Sequence, residues 1–295
     1  MVSPRFAGDI CMIERLKLTI LVENTASPHD SRLCAQHGLS IFMEMCLDSE
    51  SMCVLMDTGA SSDVILNNMD LLNIDPEDID LIFLSHGHYD HTGGLMGLLK
   101  RMSRRVPVLA HPGIFAPKLR SRPFLKSIGP PFSRRDAEDA GAVMLLSRNP
   151  VSLAPGITTS GEVERRTSFE RVEGFWTIVD GIYQEDRIED DQAIIVSIKD
   201  RGLVVISGCA HSGIINIVDQ AKRLTGSDSI YAVIGGFHLM GSEDERIRRT
   251  AGALLDLDPE IVCPGHCTGA RAVSQLQEVL GDRCQPLFTG EVIEL

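Results

Sequence analysis

Four potential metal ligands stand within six residues in the run His86-Gly87-His88-Tyr89-Asp90-His91. Neutral imidazole and carboxylate suit zinc, iron or manganese, and spacing this short lets neighbouring side chains point to two adjacent ions. A lone histidine is more often structural, but an HxHxDH run directly after the apolar stretch Leu81 to Leu84 has few bland explanations. Other reactive residue types also follow apolar runs: Asp57 after Val54 to Met56, Cys209 and His211 after Leu203 to Ile206, His238 after Ser229 to Ile234, and His266 after Ile261 to Cys263.

The elements that must position these residues are read from periodicity. Leu16 to Val22 and Leu39 to Leu47 are apolar with β-branched members and read as strands. Val54 to Met56 is a short strand running into the turn Asp57-Thr58-Gly59, and Ala60 to Asn68 follows as a helix. Asp75 caps a short helix that Pro76 begins. Leu81 to Leu84 is a buried-type strand, and Thr92-Gly93-Gly94 leads into a helical stretch through Leu99, so the histidines ride on a strand-to-helix loop. Val106 to Ala110 is a further strand, and Ala193 to Ile198 with Leu203 to Ile206 form a hairpin over Lys199-Asp200-Arg201-Gly202. Ile214 to Leu224 and Glu243 to Leu255 read as helices. From 112 to about 187 periodicity is weak and Pro, Gly and charge are frequent, so this segment reads as an insertion that covers something, within one domain spanning 1–295.

Composition narrows the function classes. With 43% hydrophobic and 23% charged residues the chain is ordinary for a globular protein. Its net charge of -13 argues against nucleic-acid partners, which need a basic surface. Lys100 to Arg135 nevertheless carries ten Lys or Arg and no acidic residue. Within it Lys118, Arg120 and Arg122 are candidate clamps for an anionic small molecule, against the commoner reading of a charge run as simply solvated. The apolar runs are too short to cross a bilayer, and Met1 to Thr19 carries charges where a signal peptide needs an apolar core, which implies a cytoplasmic chain without a membrane partner. Eight cysteines at 11, 34, 46, 53, 209, 263, 267 and 284, with no CxxC pair, fit reduced thiols in a cytosol.

The HxHxDH run resembles the signature of the metallo-β-lactamase superfamily. That resemblance implies an α/β fold, the four-layered αββα sandwich, with metals along one edge. Asp57-Thr58-Gly59 looks like the superfamily's first motif, an aspartate supporting the metal loop, and His266 in Cys-Pro-Gly-His-Cys-Thr-Gly looks like its last ligand. Within the superfamily the chain most resembles the branch of dihydropterin ribofuranosyl-aminobenzene phosphate synthases of methanopterin biosynthesis. The matching stretches are Gln36 to Ser40, Ser85 to Gly94, Asp191-Gln192-Ala193, Ile206 to His211, Gly235 to Leu239 and His266 to Gly269. Carried over by position, the resemblance implies two divalent ions, zinc with manganese or iron as alternatives. His86, His88 and His211 would hold one, and Asp90, His91 and His266 the other. There is one departure: where related hydrolases have Gly-His before the hairpin and a bridging Gly-Asp after it, this chain has Glu189-Asp190-Asp191 and Gly208-Cys209. Cys209 is then either a soft thiolate ligand or a small buried residue beside the site.

The implied activity is that of a metal-dependent hydrolase or transferase acting on an anionic, phosphate-bearing small molecule. A di-iron redox protein and a non-catalytic metal-dependent binding protein are the alternatives. Asp90 would orient a nucleophile, and His238 would contact a phosphate or protonate a leaving group unless it is a satisfied structural histidine. His37 has the same two readings as a substrate contact. His111 reads as supporting or structural, His29 as surface, and Cys263 and Cys267 as packing around the loop of His266. Gly93-Gly94 lacks the context of a phosphate loop.

Overall fold

The computed structural model describes residues 13–47, 50–171 and 173–295. Cys11 and the first twelve residues of the stretch weighed as a leader lie outside the described residues. Two sheets face each other. The first has the spatial order Val292–Glu294, Arg15–Val22, Ser40–Leu47, Glu50–Met56, Leu81–Phe83, Val106–Ala110 and Ala142–Leu146. It is antiparallel as far as Glu50–Met56 and parallel beyond it. The second has the order Ile261–Gly265, Ile230–Gly236, Gly202–Ser207, Ala193–Ile198, Ile157–Thr159 and Ser152–Ala154, with the first three strands parallel.

Three apolar layers hold these sheets and their helices together. Leu18, Ile20, Met43, Val54 and Phe83 of the first sheet meet Ile194, Val196, Val204, Ile206 and Ile234 of the second in a central cluster. The opposite face of the second sheet, through Ile195, Val205 and Val233, buries against Ile214–Thr225, Asp244–Leu257 and Ala270–Leu280. The opposite face of the first, through Phe42, Leu55, Ile82 and Val108, buries against Ser62–Leu71 and Leu95–Arg101. The result is the αββα sandwich. Strands buried on both faces read as continuous apolar runs, which is why Ala193–Ile198 and Gly202–Ser207 show no polar alternation.

The segment 112–187 departs from the expected insertion. Ala142–Leu146 is the edge strand of the first sheet, and Ser152–Ala154 with Ile157–Thr159 extends the second. These strands are short, and Ala142–Leu146 and Ser152–Ala154 are only partly buried, so they carry little periodic signal. Only a small third sheet, ordered Ile182–Glu185, Phe175–Val179, Leu119–Arg120 and Lys126–Ser127, stands apart from the sandwich. The helical stretch expected after Thr92-Gly93-Gly94 is Leu95–Arg101, a further single turn, Tyr89–Thr92, lies within the ligand run, and the Pro76 helix is a single 3-10 turn with Asp75 accepting from Glu77 N. No helix among the described residues is long and apolar enough to cross a membrane.

Candidate metal centre

The loop Ser85–His91 leaves the strand Leu81–Phe83 beside Asp57, which ends the neighbouring parallel strand. The ends of Gly202–Ser207, Ile230–Gly236 and Ile261–Gly265 deliver Cys209 and His211, His238, and His266 to the same edge. Asp57, Ala210, His238 and His266 all adopt positive φ, between 47° and 60°. Non-glycine residues enter that region at a cost, and such strain gathers at functional sites. Gly208 permits the crossing itself, since a Cβ there would lie 2.1 Å from Ser85 Oγ.

Asp57 is fully buried and organises the loop. Its Oδ1 accepts from Ser85 N, and its Oδ2 from Ser85 Oγ and His91 Nδ1, each at 2.7 Å. Ser85 Oγ also lies 3.0 Å from His86 Nδ1. The hydroxyl has one proton and gives it to the carboxylate, so His86 Nδ1–H must donate to Ser85 Oγ. One carboxylate therefore keeps a proton on Nδ1 of both His86 and His91, freeing Nε2 as the inward-facing atom of each. His266 is fixed in the same sense, with Nδ1 3.0 Å from Asn24 Oδ1 and its backbone N–H donating to Glu23 Oε1 at 2.6 Å.

The freed atoms converge in two sets. His88 Nδ1 lies 3.0 Å from His86 Nε2 and 3.2 Å from His211 Nε2. His91 Nε2 lies 3.2 Å from His266 Nε2, and Asp90 Oδ2 lies 3.3 Å from His266 Nε2 and 3.9 Å from His91 Nε2. The separation of the facing nitrogens is close to the roughly 3.3 Å between two ligands each about 2.0–2.1 Å from one tetrahedral ion. The donor chemistry fits a metal as well. Burial, reinforced by neighbouring rings, keeps His86 and His211 well below the ordinary imidazole value, and burial carries His88 down to about 3, so all three are neutral. Burial raises the Asp90 carboxyl, but His266, His91 and His88 outweigh it and hold the group ionised.

A cavity of about 290 Å³ opens onto both sets and is lined by His37, Tyr89, Arg120, Lys126, Phe175, His238 and Met240 among others. The small sheet roofs it: Phe175 stacks on His88 at 5.2 Å between centroids and packs at 5.2 Å from His211 and 5.8 Å from His238. Arg120 sits opposite Lys126 in the register of that sheet, and Lys126 lies 5.7 Å over the Tyr89 ring. His37 is half-exposed at the rim, with Nε2 3.3 Å from Asp90 Oδ2.

A profile described as the metallo-beta-lactamase superfamily matches residues 38–266. The chain belongs to the metallo-beta-lactamase superfamily. It is 36% identical to a 7,8-dihydropterin-6-methyl-4-(beta-D-ribofuranosyl)-aminobenzene-5'-phosphate synthase of Methanocaldococcus jannaschii, over 97% of this chain and 99% of that one. A second, uncharacterized protein of the same organism is 34% identical over 89% of this chain and 94% of its own. Among solved structures the chain is similar to Tm1679, described as a metal-dependent hydrolase of the beta-lactamase superfamily, with a TM-score of 0.79, 28% identity and coverage of 95% and 99%. It shares its fold with the metallo-beta-lactamase fold protein YhfI from Bacillus subtilis, at a TM-score of 0.55, 12% identity and coverage of 96% and 100%.

Of the three candidate clamps in the basic run only Arg120 lines the cavity; Arg122 is exposed outside its lining, and Lys118 falls elsewhere. Lys118 is not a substrate clamp: it is 3% exposed, and its ammonium is paired with Asp190 and, at 3.1 Å, with Asp186. Burial lowers its pKa, but the two carboxylates outweigh that and raise it. Asp190 in turn accepts from Gly87 N at 2.8 Å, so Lys118 braces the ligand loop from behind. Asp191 does the same for His211, accepting from Ser212 N at 2.9 Å and Ser212 Oγ at 2.5 Å. His111 is buried and bound to Glu162 at 2.8 Å, and His29 is exposed. Sequence reasoning missed Glu23, Asn24, Ser85, Lys126 and Phe175. Ser85 could have been suspected from its place before the first histidine, whereas Asn24 reaches His266 across 242 positions with no local signal.

Proposed function

We propose that the chain is a dinuclear-metal enzyme acting on an anionic, phosphate-bearing small molecule, of the kind named for the synthase it resembles. The observation that carries this reading is the pair of ligand sets at the floor of one pocket whose mouth bears Arg120 and Lys126. His86, His88 and His211 would hold one ion and Asp90, His91 and His266 the other, a nitrogen-rich set suited to zinc, with manganese or iron as alternatives. The chemistry supplied by such ions is Lewis acidity, which brings the pKa of a water toward neutrality or stabilises charge on a departing phosphate.

The chain's own groups do the rest. Arg120 and Lys126 bind the phosphate, the guanidinium as a planar fork and the ammonium as a point charge. Phe175 and Tyr89 offer ring faces to a flat heterocycle, and Phe175 excludes water from the histidines beneath it. Asp90 stays ionised and orients the attacking group. His238, which lines the cavity, delivers a proton to the leaving group. His37 contacts the substrate at the rim. The setting is cytoplasmic, with no nucleic-acid or membrane partner.

The hydrolase reading is the second one, favoured by the likeness to Tm1679. Elemental analysis of the purified chain, paired with a screen of phosphodiesters, thioesters, lactones and a pterin with a phosphoribosyl-aminobenzene, separates them. About two equivalents of zinc, manganese or iron with turnover of the pterin pair is the expected result. Ester turnover alone selects the hydrolase, and full loading with no turnover leaves a metal-dependent binding protein. No metal, bound or restored, refutes the proposal.

A further inference from the structure

Cys209 occupies the position where related hydrolases carry a bridging aspartate, and its surroundings assign it more than a packing role. The residue is 3% exposed. Its Sγ lies 3.1 Å from His91 Nε2. Ligand atoms of Cys209, His86 and His211 all lie within 4.8 Å of one another, and so do those of Cys209, His91 and His266. Among the described residues, no other ligand-type side chain belongs to clusters drawn from both histidine sets.

The backbone fixes the sulfur there. Ala210 turns through a left-handed conformation, and the Cys209 carbonyl accepts from Cys267 Sγ at 3.3 Å. At Gly236 an added Cβ would lie 3.2 Å from Cys209 Cα and 2.7 Å from Cys267 Sγ, so only glycine at the neighbouring strand end leaves room for the cysteine to sit where it does. Cys267 spends its own thiol on that carbonyl and receives the His238 N–H at 3.3 Å, which sets it behind Cys209 rather than between the histidines.

We propose that Cys209 Sγ is a thiolate ligand shared by the two metal positions, standing in for a bridging carboxylate. This rests on the two-metal reading above. Loading breaks the S–H bond, sends its proton to solvent and leaves the sulfur electron pairs for bonds of about 2.3 Å to the ions. A soft donor at the shared position favours zinc or ferrous iron over manganese, because manganese prefers oxygen ligands.

The test uses X-ray absorption of the zinc-loaded full chain and the optical spectrum of its cobalt-loaded form, with Cys209→Ser, Cys209→Asp and Cys267→Ser alongside. The expected result is a sulfur scatterer near 2.3 Å and a thiolate-to-cobalt charge-transfer band. Both persist in Cys267→Ser and vanish in Cys209→Ser, and Cys209→Asp shifts retention from zinc toward manganese. Two bound ions with no sulfur scatterer, or a band that survives Cys209→Ser, overturns the shared thiolate and leaves the two-metal reading intact. Absence of metal uptake overturns both. Because the scatterer is read on the unmutated chain, misfolding of a variant does not decide the outcome.

Discussion

Asp57→Asn is the sharpest perturbation of the proposed centre, because it changes none of the proposed ligands and almost no volume. In the native chain the carboxylate only accepts, and that forces the protons onto His91 Nδ1 directly and onto His86 Nδ1 through Ser85 Oγ. An asparagine can still accept from Ser85 N at one end, but its amide offers hydrogens at the other. Those hydrogens favour an unprotonated Nδ1 on His91 and so place the proton on Nε2, where an ion would bind. Through the Ser85 hydroxyl the same reversal reaches His86. Loss of an outer partner of this kind costs about 10- to 100-fold in metal affinity, equivalent to about 1.4–2.7 kcal/mol. Chelator competition with stepwise metal removal should show both ions loosened. Ser85→Ala cuts only the His86 branch and should loosen one. Asp57→Ala is a poor substitute, since it strands three buried donors at about 1–3 kcal/mol each and threatens the fold. An Asp57→Asn chain that keeps both ions at native affinity, or loses only the ion held by His91, refutes the relay.

Other consequences are simpler to state. Lys118→Met leaves Asp186 and Asp190 buried without their cation and should cost about 3–5 kcal/mol in thermal or denaturant unfolding; a surface-like loss under 1 kcal/mol, the scale of exposed pairs, would contradict its bracing role. His238→Gln should lower kcat by roughly 10²- to 10⁴-fold with metal content and KM nearly unchanged, as expected of a proton donor; a change confined to KM would make it a binding residue. Arg120→Ala should raise KM for a phosphorylated substrate about tenfold or more, the worth of one charged hydrogen bond, and should leave unfolding untouched. In the metal-free chain burial lowers the pKa of His91, but Asp57 and Asp90 outweigh it and raise it from 6.5 to about 9. The stability from this pair is therefore complete below 6.5 and is lost as pH rises through 9, whereas metal uptake, which must displace that proton, tightens over the same interval. Calorimetry in buffers of different ionisation heat reads the released proton, and its absence near neutrality would contradict the shift.

Much of this candidate centre was legible in the residues because its proposed ligands lie where strands end, and strand ends are marked by abrupt changes of residue type. His86 to His91, His211 and His266 each follow an apolar run that is buried on both faces, so pattern and place coincide. What remained hidden depends on distance through space. Asn24 meets His266 only because the first sheet lies against the second, and no spacing along the chain encodes that. Lys118 misled for a related reason. It sits in a run without acidic neighbours in sequence, yet the chain returns Asp186 and Asp190 to it from 68 and 72 positions away. Charge read along a chain measures only the local field, whereas a buried cation is stable only where the fold supplies its counterions. The basic segment therefore divides by burial: Lys118 supports the loop, and the exposed Arg120 and Lys126 remain free to meet an anion at the pocket mouth.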